Sequence, residues 1–333
     1  MGKTYNFAIL GCGVISNTHV KAIKSISNAQ LLGVADVNYE RAKSFADENQ
    51  IKAYANYEEM LADKSIDIVC ICTPSGHHAP NAIQALKSGK HVVVEKPMAL
   101  NTQSANEITT VANEVGKKVT VISQFRYSED LIKIRQYVQE GRLGKISLCS
   151  LTMKYYRAPE YYSSSSWRGT LKFDGGGALI NQGIHGVDML DYLVGPIVDV
   201  DGRIATIFHN IEGEDTAVAT FKTESGALGV IQASTCAYPG FDRRIEIHGD
   251  KGYAVLRENK LEKLVLDREE VNIDKKEFVS TASDNTVMDY SMHKAQITNF
   301  LNSLDGKEKL LMDGEEGKRA LTIIENIYKC GRA

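Results

Sequence analysis

Tyr5-Asn6-Phe7-Ala8-Ile9-Leu10-Gly11-Cys12-Gly13-Val14-Ile15-Ser16 is the stretch that decides the fold. An apolar run of strand length ends on a glycine, a second glycine stands two positions later, and Val20 and Ile23 then recur at helical spacing. A strand, a tight turn and a helix in that order make the first unit of a parallel α/β sheet. The rhythm continues. Residues 31–35 form an apolar run closing on Asp36, residues 66–72 close on Thr73-Pro74, and His91-Val92-Val93-Val94 closes on Glu95-Lys96-Pro97. Three valines in a row fit a central strand covered on both faces. Pro97 has no N–H for a ladder and pushes Lys96 into an extended conformation, so the strand stops there and presents the lysine at its carboxyl end. In open α/β sheets ligands bind along that edge.

Gly11-x-Gly13-x-x-Ser16 departs from the dinucleotide fingerprint only at its third glycine. The first glycine allows the tight turn, the second lets a pyrophosphate approach the backbone, and the helix N-terminus at Val14 and Ile15 offers N–H donors to the phosphates. Asp36 stands 25 positions beyond Gly11, where a carboxylate accepts the adenosine-ribose hydroxyls and repels a 2′-phosphate. The expected cofactor is therefore NAD rather than NADP. The plain alternative is a glycine turn that merely lets helix pack on strand.

At 333 residues, with 43% hydrophobic content, the chain is long enough for two cores. A dinucleotide-binding domain over 1–122 and an α+β domain over 123–333 are expected. In the second, a helix opens at Ser128-Glu129-Asp130 and stops near Gly141. Strands follow over 146–155, 217–222, 228–234, 243–248 and 253–256, with a helical segment at 181–193 and two closing helices at 292–304 and 315–330. Many strands with few helices between them imply a large, mainly antiparallel sheet. A net charge of −3 and a pI near 6.3 give no basic field for nucleic acid or a membrane surface. Six cysteines without CxxC spacing argue against a zinc site and for reduced thiols, and no metal is expected. No signal-peptide core or membrane span is visible, so a cytoplasmic location is expected.

Asn181 and His185 stand four apart on the expected helix and leave one face. The preceding Asp174-Gly175-Gly176-Gly177 suits a close approach of backbone to ligand. Asp188 either orients the imidazole or serves packing. Tyr155-Tyr156-Arg157, the serines 163–166, Trp167 and Arg168 form a loop whose aromatic faces suit sugar rings. Arg157, Arg168 or Arg126 are candidates to pair with a carboxylate or phosphate, unless the loop is plain surface. A lysine taken alone reads as a solvated strand end, and the apolar strand and the charge beside Lys96 argue for the functional reading.

Together these residues resemble the Gfo/Idh/MocA oxidoreductases, relatives of glucose-fructose oxidoreductase and inositol dehydrogenase. The resemblance rests on Gly11-Cys12-Gly13 with Asp36, Thr73-Pro74 followed by His78, Gly89-Lys90-His91 leading into Glu95-Lys96-Pro97, and the glycine run leading to Asn181, His185 and Asp188. It also takes in residues 245–252. It implies an N-terminal Rossmann domain holding NAD, with Thr73, Pro74, His78 and Glu95 lining the cofactor and a Lys96-Pro97 bond that is often cis in relatives. Lys96 becomes the catalytic lysine and His185 the proton acceptor, while Asn181, Arg168, Tyr155 and Arg126 remain, from the residues themselves, the ones expected around the substrate. The second domain's sheet implies a homodimer or homotetramer.

Many polyol dehydrogenases of the family carry Asp where this chain has Asn181. The asparagine version resembles enzymes acting at C3 of nucleotide-linked N-acetylated sugars and uronic acids. The expected function is NAD-dependent hydride transfer at a secondary hydroxyl of a sugar, sugar acid, nucleotide sugar or cyclic polyol. An NAD-retaining glycosidase using transient C3 oxidation and a non-catalytic NAD-binding regulator are the alternatives. An alcohol surrenders hydride only as its proton departs, so two groups are required. An imidazole ordinarily titrating near about 6.5 suits the base. An ammonium suits the developing alkoxide.

Overall fold

The computed structural model describes residues 3–273 and 289–331. Its contacts divide the chain into two units, residues 1–124 with 288–318 and residues 125–287 with 319–333.

In the first unit β1 (Tyr5–Leu10), β2 (Ala29–Ala35), β3 (Lys52–Ala53), β4 (Ile68–Ile71), β5 (His91–Val94) and β6 (Val119–Val121) form one parallel sheet in the order β3-β2-β1-β4-β5-β6. This is the doubly wound dinucleotide-binding order, with its reversal between β1 and β4. Every residue of β4 and all three valines of β5 are buried, which explains why these strands read as unbroken apolar runs rather than alternating ones. The helix Val14–Lys24 lays Val20, Ala22 and Ile23 into the same core as Phe7 and Ile9 of β1.

The contact division falls after Gln124, and the chain does not then stay in its second unit. The helix Ser291–Leu304, expected in the C-terminal domain, belongs to the first. Ile297, Phe300 and Leu301 follow helical spacing and join the core of β1 and the helix Val14–Lys24. Full burial of each is worth about 1.5–3 kcal/mol. Gln296 reinforces the placement: its Nε2 donates to the carbonyl of Val121 at 2.6 Å and its Oε1 accepts the Ser123 N–H at 3.0 Å. Backbone groups on the edge strand β6 are thus satisfied by a side chain.

In the second unit β7 (Ile146–Lys154), β8 (Ile197–Ala205), β9 (Thr216–Thr223), β10 (Leu228–Ser234), β11 (Arg244–Gly249), β12 (Tyr253–Arg257), β13 (Lys260–Leu266) and β14 (Glu269–Glu270) form a sheet in the order β14-β13-β12-β11-β7-β10-β9-β8. Its pairs are antiparallel except β7 with β10. β9 and β10 alternate strictly between buried and outward residues, as a sheet with one covered face requires. The helix Ile184–Val194 packs on β7 and β11. Where a helical segment was expected from Asn181, residues Ala178–Gly183 form a π-helical turn that passes into α-helix at Ile184.

Candidate active site

Gly11 sits at φ +96°, and a Cβ there would meet the Cys72 carbonyl oxygen at 2.7 Å. Only glycine lets β1 turn beside the end of β4. Gly13 caps the helix Val14–Lys24 at an ordinary φ of −83°, and a Cβ built on it meets nothing within 4 Å. The space above Gly13 is open, with Val14 outward beside it at 70% exposure. Ser16, in place of the third glycine, is buried and its hydroxyl donates to the Gly13 carbonyl, so the substitution closes the turn on itself. Asp36 accepts the Cys12 N–H through Oδ2 at 2.9 Å and the Asn38 N–H through Oδ1 at 2.9 Å. The carboxylate at the end of β2 is thereby fixed to the glycine turn, and the exposed Arg41 lies 3.6 Å from it. An open backbone cradle at a helix N-terminus with an anchored carboxylate beside it fits a dinucleotide.

Beyond β5 the Lys96-Pro97 bond is cis and Lys96 is half-buried. Two buried groups hold this turn. His78, expected to line the cofactor, is only 1% exposed; its Nδ1 lies 2.6 Å from the Pro97 carbonyl and its Nε2 2.8 Å from the Thr73 carbonyl. Burial pushes its pKa below the ordinary value, so the neutral ring has one proton to donate between the two carbonyls. His78 therefore joins the Thr73-Pro74 loop to the lysine turn, and Thr73 and Pro74 are the partly exposed members. Glu95 is the second group. Its Oε1 accepts from His19 Nε2 at 2.8 Å and lies 3.8 Å from His293 Nε2, and its Oε2 accepts the Lys96 N–H at 3.2 Å. Burial penalises the charge, yet the two imidazoles hold the Glu95 carboxyl well below the usual range. Burial also lowers the pKa of His293. His19, Glu95 and His293 offer donor atoms within 4.8 Å of one another, a set a metal could use. The 2.8 Å separation of His19 and Glu95 is that of a hydrogen bond, however, and shorter than the ligand–ligand edge of about 3.3 Å that a tetrahedral zinc with its ~2.0–2.1 Å bonds imposes.

In the second unit Asn181 and His185 are both half-buried, one on the π-helical turn and the other at the start of the α-helix. Such turns recur at functional sites because they re-aim side chains. Asn181 Nδ2 donates to Asp174 Oδ1 at 2.6 Å and its Oδ1 accepts from Gln182 Nε2 at 3.1 Å. Asp174 is fully enclosed and also accepts the Gly169 N–H at 2.8 Å. The His185 ring meets the Phe125 ring edge-to-face at 5.2 Å, and the Arg243 guanidinium lies over the same phenyl at 4.7 Å. Arg168 rests on the Tyr161 ring at 4.4 Å and donates to the Tyr161 carbonyl, while its Nε has no hydrogen-bond partner.

Several expectations change here. Arg126 is 1% exposed and paired with Asp188, NH2 to Oδ1 at 2.7 Å and Nε to Oδ2 at 3.0 Å. A guanidinium committed in this way to a buried carboxylate is a structural pair rather than a substrate ligand, and Asp188 serves that pair. Tyr155 is buried, with its hydroxyl 3.4 Å from Glu258, so protein rather than open space surrounds it. The glycine run approaches protein rather than ligand. A Cβ on Gly177 would strike the Glu214 carbonyl at 2.1 Å, and the buried Glu214 carboxylate accepts the N–H groups of Gly177 and Leu179. His19, Phe125, Tyr161 and His293 were not singled out from the sequence, and Asp174 was named only as the start of the glycine run. Only His19 carried a signal, as a histidine among the apolar residues of the glycine-motif helix.

Residues 5–123 match the family model described as "Oxidoreductase family, NAD-binding Rossmann fold", and residues 131–255 match the "GFO/IDH/MocA C-terminal domain". The chain is 30% identical to the uncharacterized oxidoreductase YrbE of Bacillus subtilis, over 76% of this chain and 74% of that protein. It is 28% identical to the myo-inositol 2-dehydrogenase of Thermotoga maritima, over 95% of this chain and 92% of that protein. The crystal structure of the WlbA dehydrogenase from Bordetella pertussis, in complex with NADH and UDP-GlcNAcA, superposes with a TM-score of 0.88 at 30% identity, covering 99% of this chain and 97% of that one.

Proposed function

The chain belongs to the Gfo/Idh/MocA family of NAD-binding oxidoreductases, and on that premise we propose that it oxidises the C3 hydroxyl of a nucleotide-linked sugar bearing an acidic group. The observation that carries the substrate class is Arg168, a half-buried guanidinium braced on Tyr161 with an Nε that has no hydrogen-bond partner. A carboxylate or phosphate meets that donor with a charge-assisted hydrogen bond, roughly twice as strong as the neutral one a polyol hydroxyl offers. Asn181, pinned by Asp174, holds a neighbouring hydroxyl or acetamido group without competing for the reacting proton. The UDP-GlcNAcA bound by the WlbA dehydrogenase is a molecule of this class.

Hydride acceptance is the chemistry that the bound nicotinamide supplies. Gly11, Gly13 and the helix Val14–Lys24 bind its pyrophosphate, and Asp36 its adenosine ribose. His185 takes the hydroxyl proton as general base. Lys96 donates a hydrogen bond to the oxygen from which that proton leaves and stabilises the charge developing there. Exposed apolar side chains on β7–β10, among them Leu148, Val198, Val218 and Leu228, favour self-association through the sheet. Among the described residues no helix is long and apolar enough to cross a membrane. All six cysteines are free, which suits a cytoplasmic enzyme.

The deciding experiment follows NADH formation with UDP-GlcNAcA, uncharged nucleotide sugars, free sugars, glycosides and myo-inositol. Turnover is expected with the acidic nucleotide sugar and is lost in Lys96→Ala and His185→Ala, both of which keep NAD binding. Turnover confined to myo-inositol would overturn the substrate class. Product formed from a glycoside without NADH release would favour the glycosidase reading.

A further inference from the structure

Glu95 stands next to Lys96 but offers a ligand almost no surface, being 5% exposed between two histidines that are each fully enclosed. Charged and titratable side chains are costly to bury, so this cluster requires a reason. The Cys70 and Cys72 thiols beside it are pushed up by burial and stay neutral, which leaves the imidazoles to stabilise the carboxylate. His19 comes from the helix Val14–Lys24 and His293 from the helix Ser291–Leu304, their rings edge-to-face at 5.5 Å. One oxygen of Glu95 faces both histidines. The other accepts the backbone N–H of Lys96.

We propose that His19 and His293 are positioning residues that hold Glu95 as an oriented carboxylate, so that its second oxygen fixes the backbone from which the Lys96 ammonium projects. The two helices thereby set the lysine by way of one carboxylate. Lys96 itself has a half-exposed side chain on a short turn, and a long flexible amine delivers little electrostatic stabilisation unless its base is fixed. The inference rests on the proposed role of Lys96, and its test includes a measurement that needs no substrate.

The Lys96 amine is labelled with an amine-reactive reagent in the full-length protein and read by peptide mass spectrometry, alongside NAD binding, kcat and KM. His19→Leu and His293→Leu are expected to change the Lys96 labelling rate several-fold and to cut kcat by about tenfold or more, with NAD affinity within about twofold, while His19→Gln and His293→Gln, which retain a donor, recover most of both. Where a leucine variant does not fold, His293→Asn, whose amide falls short of Glu95, is read against His293→Gln by the same measurements. Unaltered Lys96 labelling in folded leucine or asparagine variants overturns the proposal whatever the substrate assays return. So does a stoichiometric transition metal in the purified wild-type protein that is absent from His293→Leu. A response in labelling without turnover on any substrate supports the positioning role and rejects the dehydrogenase reading instead.

Discussion

Two glycines separated by one residue answer to different demands, and replacing each with alanine separates them. Gly11→Ala places a methyl at φ +96°, 2.7 Å from the Cys72 carbonyl oxygen and 2.9 Å from its carbon, both backbone atoms. The turn is pinned on either side, because the Gly11 N–H donates to Ala35 and the Cys72 N–H to Leu10, each at 2.8 Å. The unfavourable φ costs about 1–2 kcal/mol, and displacing packed backbone about 1–3 more. A loss of about 2–5 kcal/mol lowers Tm by roughly 5–15 °C at this domain size. Gly13→Ala has an ordinary φ and no atom within 4 Å of the new methyl, so the apoprotein keeps its Tm within a degree or two. The methyl instead occupies the approach to the helix N-terminus, and the Kd for NAD rises by about tenfold or more, ~1.4 kcal/mol. Thermal unfolding of the apoprotein and calorimetric titration with NAD measure the two effects independently. Equal destabilisation by Gly13→Ala and Gly11→Ala, or unchanged NAD affinity in Gly13→Ala, would refute the separate roles of the two glycines.

Asp36→Asn keeps an acceptor for the Cys12 N–H and removes the charge, so the Kd ratio of NADP to NAD should fall toward one; an unchanged ratio counts against the carboxylate as discriminator. Arg126→Ala strands Asp188 as a buried, uncompensated charge and is expected to cost about 3–5 kcal/mol in denaturant unfolding. Arg168→Ala should leave stability within about 1 kcal/mol and raise KM for an acidic substrate, and the reverse pattern would return Arg126 to the substrate. His91 is pushed down to about 4 by burial, with Lys117 adding to the effect, and its Nδ1 accepts the Lys118 N–H. The unfolded chain takes up a proton below about pH 6.5 that the folded ring refuses until about pH 4. This contribution is therefore complete above about pH 6.5 and lost as pH falls through that window. After discounting for partial exposure it is on the order of 1–2 kcal/mol. His91→Asn, which retains an acceptor, should flatten the stability profile between those values, and a profile parallel to that of the wild type would rule the assignment out.

The parallel sheet was legible because its determinants are local. Each strand is a short apolar run with a turn residue behind it, and the glycine spacing and Asp36 lie within one βαβ unit. The second sheet was legible where burial alternates, as in 228–234, and illegible at β8, an edge strand whose Asp199, Asp201 and Arg203 face outward and erase the pattern. Lys96 stood out because a strand delivers it. The partners of Glu95 did not, since His293 stands nearly two hundred positions away and nothing local distinguishes it from a core histidine. Arg126 and Tyr155 were misread for the complementary reason. Residue type announces what a side chain could bind, whereas enclosure by Asp188 or Glu258 is decided by chain segments far along the sequence.

The return of the helix Ser291–Leu304 to the first unit bears on how the protein is made. Ile297, Phe300 and Leu301 complete a core whose other members lie mostly in the first hundred residues. A nascent chain emerging from the ribosome therefore holds its nucleotide-binding sheet with an apolar face uncovered until the helix Ser291–Leu304 has been translated. Premature termination anywhere in the second unit damages the first as well. In pulse-labelled synthesis, protease resistance of the N-terminal sheet should arrive late, with the synthesis of residue 304 rather than of residue 124.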